Sequence, residues 1–255
     1  MQLVVPMAGL GKRFADAGYG VPKPLIPVGG VPMVVRAVND LPPASRTVFV
    51  VHPEHVARFG IDRRLRGFFP GCGVVVAPGL TQGQACSVRL AQTKLDDAED
   101  VLVTACDNTH VYDPAAFARL TTTPSVACAI WTYRHDAKVL VKPTAHGWVK
   151  ADASGRVERV SVKVPLSDTP THDHAVTGTF WFRSASCLAA GIDDLIRRDE
   201  RVNGEFYLDS VPNLLIEAGR DVRVFEADKY IGWGTPHDLD EYRGWERYFA
   251  ARAAG

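Results

Sequence analysis

Long hydrophobic runs are missing from this chain of 255 residues. No stretch approaches the roughly 20 consecutive apolar residues that a membrane-spanning helix needs, which excludes an integral membrane protein built from helices. The first residues, MQLVVPMAGLG, also lack the basic region that precedes the apolar core of a signal peptide. We therefore expect a soluble, cytoplasmic protein.

An excess of either charge is missing as well, because 29 basic residues are balanced by 29 acidic ones. This balance gives no reason to expect a nucleic acid or a membrane surface as the partner. Any recognition of phosphate must then come from a local group of residues.

Cysteine pairs are the third absence, since the five cysteines include no CxxC motif. An odd, unpatterned set favours reduced, mostly buried thiols over a disulfide framework or a zinc site. The five are Cys72, Cys86, Cys106, Cys128 and Cys187.

In the first half of the chain, short valine-rich runs alternate with amphipathic stretches. The runs are QLVVPM, RTVFVVH, GVVVA and DVLVTAC, and the helical stretches cover residues 33–41, 54–69 and 84–95. Strict alternation of strand and helix is typical of a doubly wound, mostly parallel sheet, because parallel neighbours need a crossover connection. Such sheets bind ligands at the carboxyl ends of their strands.

The second half of the chain has several strands with few helices between them. Strands are expected at SVACAIWTY, GWVKAD, RVERVSV, AVTGTFWF and DVRVFEA, and helices at about 206–219 and 236–251. This pattern indicates a mixed-sheet region beside the parallel one. We expect a single domain over residues 1–255, with two halves that meet near residue 135.

A glycine-rich turn follows the first strand. Gly9 and Gly11 can take positive φ and let backbone N–H groups approach an anionic ligand. A dinucleotide-binding fingerprint would need a third glycine where Phe14 stands, and a Walker loop would need Ser or Thr after Lys12, where Arg13 stands. The spacing therefore excludes both of these phosphate loops.

Two cations accompany the turn. Arg13 offers a planar fork for bidentate phosphate contact, and Lys23 offers a compact charge. Pro22 and Pro24 restrict the backbone on both sides of Lys23, so its ammonium has a fixed direction. Together these residues predict a polyphosphate site.

Residues 7–28, MAGLGKRFADAGYGVPKPLIPV, resemble the signature AGGxGTRLxPxTxxxPKPLxPV of the sugar-phosphate nucleotidylyltransferases, the NTP transferase or pyrophosphorylase family. Later segments follow the order of that family's motifs through about residue 242. They are TQGQACSV, CDN, HGWVKAD, AVTGTFWF, NGEFYLDSV and YIGWGTPHDL. The resemblance implies an α/β, Rossmannoid, GT-A-like nucleotidyltransferase fold with a mostly parallel central mixed sheet flanked by helices. It makes residues 1 to about 135 the nucleotide-binding half and the remainder the acceptor-binding half.

The resemblance also implies an activity. An NMP group passes from a nucleoside triphosphate to a phosphorylated small-molecule acceptor, and pyrophosphate leaves. The acceptor would be a sugar 1-phosphate or a related cyclitol or alcohol phosphate, with Mg²⁺ as cofactor. A phosphate monoester is already an anion at pH 7, so its attack needs no general base, and catalysis would consist of positioning and charge neutralisation.

The resemblance assigns roles to individual residues. Arg13 would neutralise the leaving pyrophosphate, and Lys23 the α-phosphate and the acceptor phosphate. Asp107 follows the strand DVLVTAC, where such sheets bind ligands, and would hold the metal. Lys163 would contact the acceptor, although a solvated strand lysine is the alternative. The nucleotide-binding residues are Ala8, Gly9, Gly11, Lys12, Gln82 and Gly83, and the acceptor-binding residues are Lys163, Gly178 and Glu205.

Two positions depart from the family pattern. Gly232 stands where the family usually has a second metal-binding aspartate. Asp107 would then hold the metal with phosphates and waters alone, or with help from Asp209 or Asp228. VKV at residues 162–164 replaces the family's sugar-binding EKP, which indicates an unusual sugar, a cyclitol phosphate or a phosphorylated alcohol such as phosphocholine.

Several alternatives stay open. A GT-A glycosyltransferase shares the nucleotide half, but it would need a DxD-like metal motif, and CDN lacks the second acid. A catalytically inactive regulatory homologue has only Gly232 in its favour. The nucleobase is open, as is the oligomeric state, including a homo-oligomer that packs through the aromatic carboxyl-terminal helix. The large aromatics Trp148, Trp181 and Trp233 belong either to the acceptor pocket or to the core.

Overall fold

A computed structural model gives the structure of residues 1–253. Its strands are β1 (Gln2–Met7), β2 (Pro27–Val28), β3 (Val31–Pro32), β4 (Arg46–Val51), β5 (Gly73–Val76), β6 (Val101–Val103), β7 (Asn108–Val111), β8 (Val126–Tyr133), β9 (Gly147–Ala151), β10 (Val157–Val162), β11 (His174–Phe182), β12 (Asp221–Glu226) and β13 (Lys229–Gly232). Its helices are α1 (Lys12–Asp16), α2 (Met33–Asn39), α3 (Pro53–Phe59), α4 (Ile61–Phe68), α5 (Gln84–Leu90), α6 (Pro114–Thr122), α7 (Ala185–Arg197), α8 (Val211–Glu217) and α9 (Pro236–Ala253).

Nine strands form one central sheet, in which seven follow the order β10-β9-β11-β6-β1-β4-β5 and β8 joins β11 to β12. The strands from the first half of the chain run parallel: β1 pairs with β4 and β6, and β4 with β5. In the second half, β11 is antiparallel to β6, β8 and β9. The sheet is therefore parallel on one side and mixed on the other, as the patterning predicts.

The register of the central strands brings two loops together. β1 and β6 are parallel neighbours, with Val4 opposite Val103. Both strands leave the sheet at the same edge, so the glycine turn after Met7 lies beside the segment that follows Val103. This pairing places the first motif of the chain next to Asp107.

Alternate side chains of the central strands enter hydrophobic clusters on opposite faces of the sheet. In β1, Val4 packs in the cluster covered by α5, α7 and α8, whereas Leu3 and Val5 pack in the cluster covered by α2, α4 and α6. A third cluster contains Phe14 and Trp233. It anchors the segment after the glycine turn against the carboxyl-terminal part of the chain.

Some elements differ from expectation. The helix predicted over 54–69 is divided into α3 and α4, because Gly60 takes a left-handed φ of 57° between them. The helix predicted over 84–95 is α5 followed by a 3₁₀ turn, Ala91–Lys94. The second half also contains α7, a 13-residue helix that Ser184 caps by accepting a hydrogen bond from the backbone of Cys187. The expected elements do not include this helix, although its amphipathic pattern is present in the sequence.

The tryptophans considered for the acceptor pocket and three aromatic side chains of α9 differ in exposure. Trp148, Trp181 and Trp233 are fully buried. In contrast, Trp245, Tyr248 and Phe249 of α9 are 55%, 47% and 63% exposed. No helix within residues 1–253 is both long enough and apolar enough to cross a bilayer.

Candidate functional site

The glycine turn is shaped by its contact with Lys23. Gly11 precedes α1 with φ 62°, and a Cβ atom placed there would lie 3.0 Å from Cβ of Lys23. Glycine satisfies both requirements, since it tolerates positive φ and has no side chain. Arg13 follows in α1 with an exposed side chain that lines a cavity of about 660 Å³, the largest of those we describe.

Lys23 opens a 3₁₀ turn, Lys23–Leu25, after Pro22 in extended conformation. Its ammonium forms an ion pair with Oδ2 of Asp107, and both side chains are only 21% exposed. Burial lowers the pKa of Lys23. The charge of Asp107 and the hydrogen bond between the two side chains raise this pKa by a larger amount, so it lies above the usual value for lysine. Lys23 is therefore a fixed positive charge at the carboxyl edge of the sheet.

Asp107 is held by the backbone around it. Its carbonyl accepts a 2.7 Å hydrogen bond from the backbone N–H of Trp233. The next residue, Asn108, starts β7 opposite Gly232 of β13, and its amide donates to the carbonyl of Thr177 at 3.0 Å. Oδ1 of Asn108 is buried and has no hydrogen-bond partner.

The largest cavity has a volume of about 660 Å³ and brings together residues from both halves of the chain. The sequence-predicted residues in its wall are Arg13, Asp107, Lys163 and Gly178. Gly178 has φ 87° and lies where the pairing of β11 with β8 shifts register. This cavity therefore unites the predicted metal ligand with two predicted acceptor-binding residues.

Lys163 follows β10 in a strained conformation. It has φ 65°, which is rare for a residue with a Cβ atom and is often found at functional sites. Its ammonium donates to the carbonyl of Ala145 and lies 5.3 Å from the ring centre of Tyr207. Burial is the main cause of a lowered pKa, which the negative charge of Asp209 opposes. Lys163 is thus a half-buried residue of the cavity wall.

Two smaller cavities of about 250 Å³ each adjoin the glycine turn. The wall of one contains Ala8, Gly9 and Gly83, which are predicted nucleotide-binding residues, and also Glu205. The resemblance assigns Glu205 to the acceptor side, but the structure places it here because the backbone of Phe206 packs against Gly83. The other cavity is lined by residues that include Gly9, Gly11, Lys23, Cys106 and Asp107.

Two predicted nucleotide-binding residues line none of these three cavities. Lys12 is exposed at the start of α1. Gln82 is also exposed, and its Oε1 accepts a 2.7 Å hydrogen bond from Arg201. Gln84, the first residue of α5, lines both the largest cavity and the cavity of Ala8. The sequence does not single it out, because both glutamines of the TQGQ segment are equally polar and only the fold separates them.

Tyrosines, not tryptophans, line the largest cavity. Tyr133, Tyr207 and Tyr230 are in its wall, whereas the three tryptophans considered for this role are fully buried and absent from it. The alternative that placed the tryptophans in the pocket is therefore wrong. Tyr133 and Tyr230 stack with ring centres 4.6 Å apart and an interplanar angle of 12°.

The side chain of Tyr230 fills the space beside Gly232. A Cβ atom at Gly232 would lie 2.9 Å from both Cε1 and the hydroxyl of Tyr230. Tyr230 therefore occupies the space in which an aspartate side chain would start. Burial raises the pKa of Tyr230 well above its usual value, and nearby charges, Asp107 first, raise it further. The hydroxyl stays protonated and neutral near pH 7.

The side-chain oxygens beside Lys23 could bind one hard divalent cation, although they provide only a few protein ligands. Within residues 1–253, no three His, Cys, Asp or Glu side chains group as a metal site. Asp107 offers a carboxylate, and the unpartnered Oδ1 of Asn108 lies on the next residue. Mg²⁺ accepts such a sparse set, because it keeps several waters and uses substrate phosphates. Asp209 shares the cavity with Asp107, whereas Asp228 lies in a separate pocket.

Cys106 is not a reactive thiol. It is buried beside Asp107, and burial raises its pKa to about 12 despite the positive charge of Lys23. All five cysteines have free thiols.

The chain is similar in sequence to known proteins. The family of MobA-like NTP transferase domains matches residues 3–190. The bifunctional protein GlmU of Burkholderia multivorans is 31% identical over 235 residues, which are 90% of this chain and 48% of that relative. The CMP-5'-(3-aminopropyl)phosphonate synthase of Streptomyces rubellomurinus is 31% identical over 249 residues, which are 95% of this chain and 38% of that relative. The chain thus spans about half or less of the curated relatives it matches.

The fold is shared with a solved structure. The nucleoside-diphosphate-sugar pyrophosphorylase from Vibrio cholerae RC9 superposes with a TM-score of 0.76 at 19% sequence identity. The match covers 94% of this chain and 98% of that one. The predicted α/β fold, with a mixed central sheet flanked by helices, is confirmed.

Proposed function

The chain belongs to the family of MobA-like NTP transferase domains, and on this basis we propose that it is a nucleotidylyltransferase for a small phosphorylated or phosphonylated acceptor. An acceptor oxygen attacks the α-phosphorus of a nucleoside triphosphate, the bond from that phosphorus to the bridging oxygen breaks, and pyrophosphate leaves. One observation carries this proposal. Lys23 lines one of the two cavities beside the glycine turn, and its ion-pair partner Asp107 lines both that cavity and the largest one.

The proposed mechanism uses fixed positive charge. The nucleotide binds beside Ala8 and Gly83, and the acceptor enters the largest cavity, where Lys163 binds its phosphate. Lys23 neutralises the charge that builds up on the transferring phosphoryl group, and Arg13 that of the leaving pyrophosphate. Such preorganised electrostatic stabilisation often contributes most to the rate of phosphoryl transfer. The acceptor is already an anion at neutral pH, so no general base is needed.

A divalent cation, which we propose to be Mg²⁺, belongs at Asp107 and Asn108. When bound there it would supply further neutralisation of phosphate charge. The odd, unpatterned set of five cysteines supports a reducing compartment. We therefore place the reaction in the cytoplasm.

The name of one relative suggests both the acceptor and the nucleobase of the donor. The Streptomyces protein is named for a CMP group joined to an aminopropyl phosphonate. The altered segment at residues 162–164 supports an acceptor other than an ordinary sugar phosphate. We therefore propose CTP as the donor and a small organic phosphonate or phosphate as the acceptor.

A pyrophosphate-release assay tests this function. ATP, CTP, GTP, UTP and dTTP would each be combined, in the presence of Mg²⁺, with sugar 1-phosphates, inositol 1-phosphate, phosphocholine and aminoalkylphosphonates. Release that requires both an NTP and an acceptor supports the proposal. Consumption of a nucleotide sugar instead would indicate a glycosyltransferase, and an inactive protein that still binds nucleotide would indicate a regulatory homologue.

Replacing Asp107 by asparagine is expected to raise the Mg²⁺ concentration for half-maximal activity by about 10- to 100-fold or more. The substitution keeps the shape of the side chain but removes the charge that binds the cation. Mg²⁺ titrations of the wild type and the variant measure this effect. Asp168→Asn is the matched control, because Asp168 is exposed on a loop outside the three cavities. Superimposable titrations of wild type and Asp107→Asn would remove Asp107 from the metal site.

A further inference from the structure

Four carboxylates line the largest cavity, and one of them has no partner. Asp107 pairs with Lys23. Asp136 accepts a hydrogen bond from the backbone N–H of Lys138, and Asp238 accepts hydrogen bonds from Thr235, the residue before α9. Asp209 receives no hydrogen bond from any other residue within 1–253, and only its own backbone N–H lies in range.

The isolation of Asp209 is costly for the protein alone. Its side chain lies in a 3₁₀ turn, Leu208–Ser210, before α8, but it does not cap that helix. Asp209 is only 8% exposed. Its own backbone N–H and the charge of Lys163 lower the pKa of this carboxyl group, but the loss of hydration on burial outweighs both, so the pKa rises. Such a group in a cavity wall indicates a ligand that supplies the missing charge.

The neighbouring backbone keeps the carboxylate in its place. A Cβ atom on Gly147 would lie 2.2 Å from Oδ2 of Asp209, so only glycine leaves room for this oxygen. Gly147 does not have a left-handed φ and is not needed for a turn. Its lack of a side chain therefore serves the position of Asp209.

The protein's own lysine does not neutralise Asp209. Lys163 lies close enough for the two charges to shift each other's pKa, but they form no ion pair within 4.0 Å. The ammonium of Lys163 is directed to the carbonyl of Ala145 and the ring of Tyr207 instead. The cavity wall thus presents a positive group and a separate negative group side by side. A ligand with one charge of each sign would match both.

The tyrosines of the same cavity favour a cation as well. Tyr207 lines the cavity beside Lys163, and the stacked rings of Tyr133 and Tyr230 form another part of the wall. The electron-rich faces of aromatic rings attract ammonium groups.

We infer that the acceptor is a zwitterion whose cationic nitrogen binds to the carboxylate of Asp209 while its phosphate or phosphonate binds to Lys163. This inference rests on the proposed function for the identity of the ligand as the acceptor. It narrows the substrate class to aminoalkyl phosphates and phosphonates, and it makes Asp209 the residue that selects them over neutral alcohol or sugar phosphates.

Calorimetric binding tests the inference without turnover. The probes are 3-aminopropylphosphonate and butylphosphonate, which differ by an ammonium in place of a methyl group. The wild type is expected to bind the amine about 10- to 100-fold more tightly, the range for a hydrogen bond to a charged group. Asp209→Asn should remove this preference, whereas Asp168→Asn, on an exposed loop, should keep it.

Gly147→Ala is a second variant, which keeps the carboxylate of Asp209 but changes its position. The new methyl group displaces Oδ2 of Asp209, so the preference for the amine should fall severalfold.

Equal binding of the two probes to the wild type, binding of neither, or a preference that survives in Asp209→Asn would overturn the inference. Pyrophosphate release is measured separately. If the protein prefers the amine but releases no pyrophosphate, the binding role of Asp209 is supported and the proposed transfer reaction is contradicted. If only neutral acceptors are turned over, the transfer reaction is supported and the zwitterionic acceptor is contradicted.

Discussion

Replacing Lys23 by alanine is expected to lower kcat by about 10²- to 10³-fold, the usual cost of removing one preorganised donor from a charged transition state. Lys23 is the cation with the most constrained position in the site. The two flanking prolines fix its backbone, the glycine turn packs on its Cβ atom, and Asp107 fixes its ammonium. A charge that needs no reorganisation when the phosphoryl group moves contributes most to rate.

The measurement is steady-state pyrophosphate release, with circular dichroism and thermal unfolding to confirm that Lys23→Ala is folded. Because both side chains of the ion pair are one-fifth exposed, water can hydrate the carboxylate that the substitution leaves alone. Lys150→Ala is the control, since Lys150 forms an exposed ion pair with Glu158 on the far strands of the sheet. Unfolding of Lys23→Ala, or a kcat equal to that of the control, would make Lys23 a structural residue.

Lys23→Arg sharpens this test. Arginine keeps the positive charge, but its planar guanidinium is larger and presents its donors as a fork rather than a point. The space between Gly11 and Asp107 is fitted to a lysine stem. We therefore expect the arginine variant to recover only a small part of the lost activity.

The first motif could be predicted from sequence because its chemistry is local. Arg13, Lys23 and the two glycines lie within fifteen residues, and their types and spacing carry the information. Asp107 could be placed beside them from a general rule, since parallel neighbouring strands end at one edge of a sheet. The register of Val4 with Val103 confirms that juxtaposition.

The acceptor side could not be predicted in the same way, because distant segments build it. Tyr230 reaches the cavity through the pairing of β13 with β7, two short strands with no apolar alternation. The sequence offers Asp209 only as a possible additional metal ligand, and nothing in NGEFYLDSV indicates that it lies in the acceptor cavity. Only the packing of its 3₁₀ turn beneath Gly147 shows that it is buried and without a partner. Gly232 is unusual in sequence alone, but the tyrosine that fills its space is visible only in the fold.

Replacing Gly83 by alanine is expected to destabilise the protein by about 2–6 kcal/mol, the sum of backbone strain and overpacking. Gly83 has φ 129°, and a Cβ atom there would lie 2.5 Å from the carbonyl oxygen and 2.6 Å from the nitrogen of Phe206. Neither atom can move freely. The nitrogen donates to the carbonyl of Gln82, and the oxygen accepts from the N–H of Ala85. The new methyl group must break this two-sided contact.

Urea unfolding of the two glycine variants Gly83→Ala and Gly71→Ala separates strain from contact. Gly71 also has positive φ, 82°, but a Cβ atom there meets nothing within 4 Å, so its variant should lose only about 1–2 kcal/mol. The difference between the two variants measures the contact with Phe206. Since that contact also positions Glu205 and the cavity beside Ala8, the folded fraction of Gly83→Ala should bind NTP more weakly. Equal losses of stability in both variants would mean that the Phe206 backbone shifts at little cost and does not determine the shape of the nucleotide cavity.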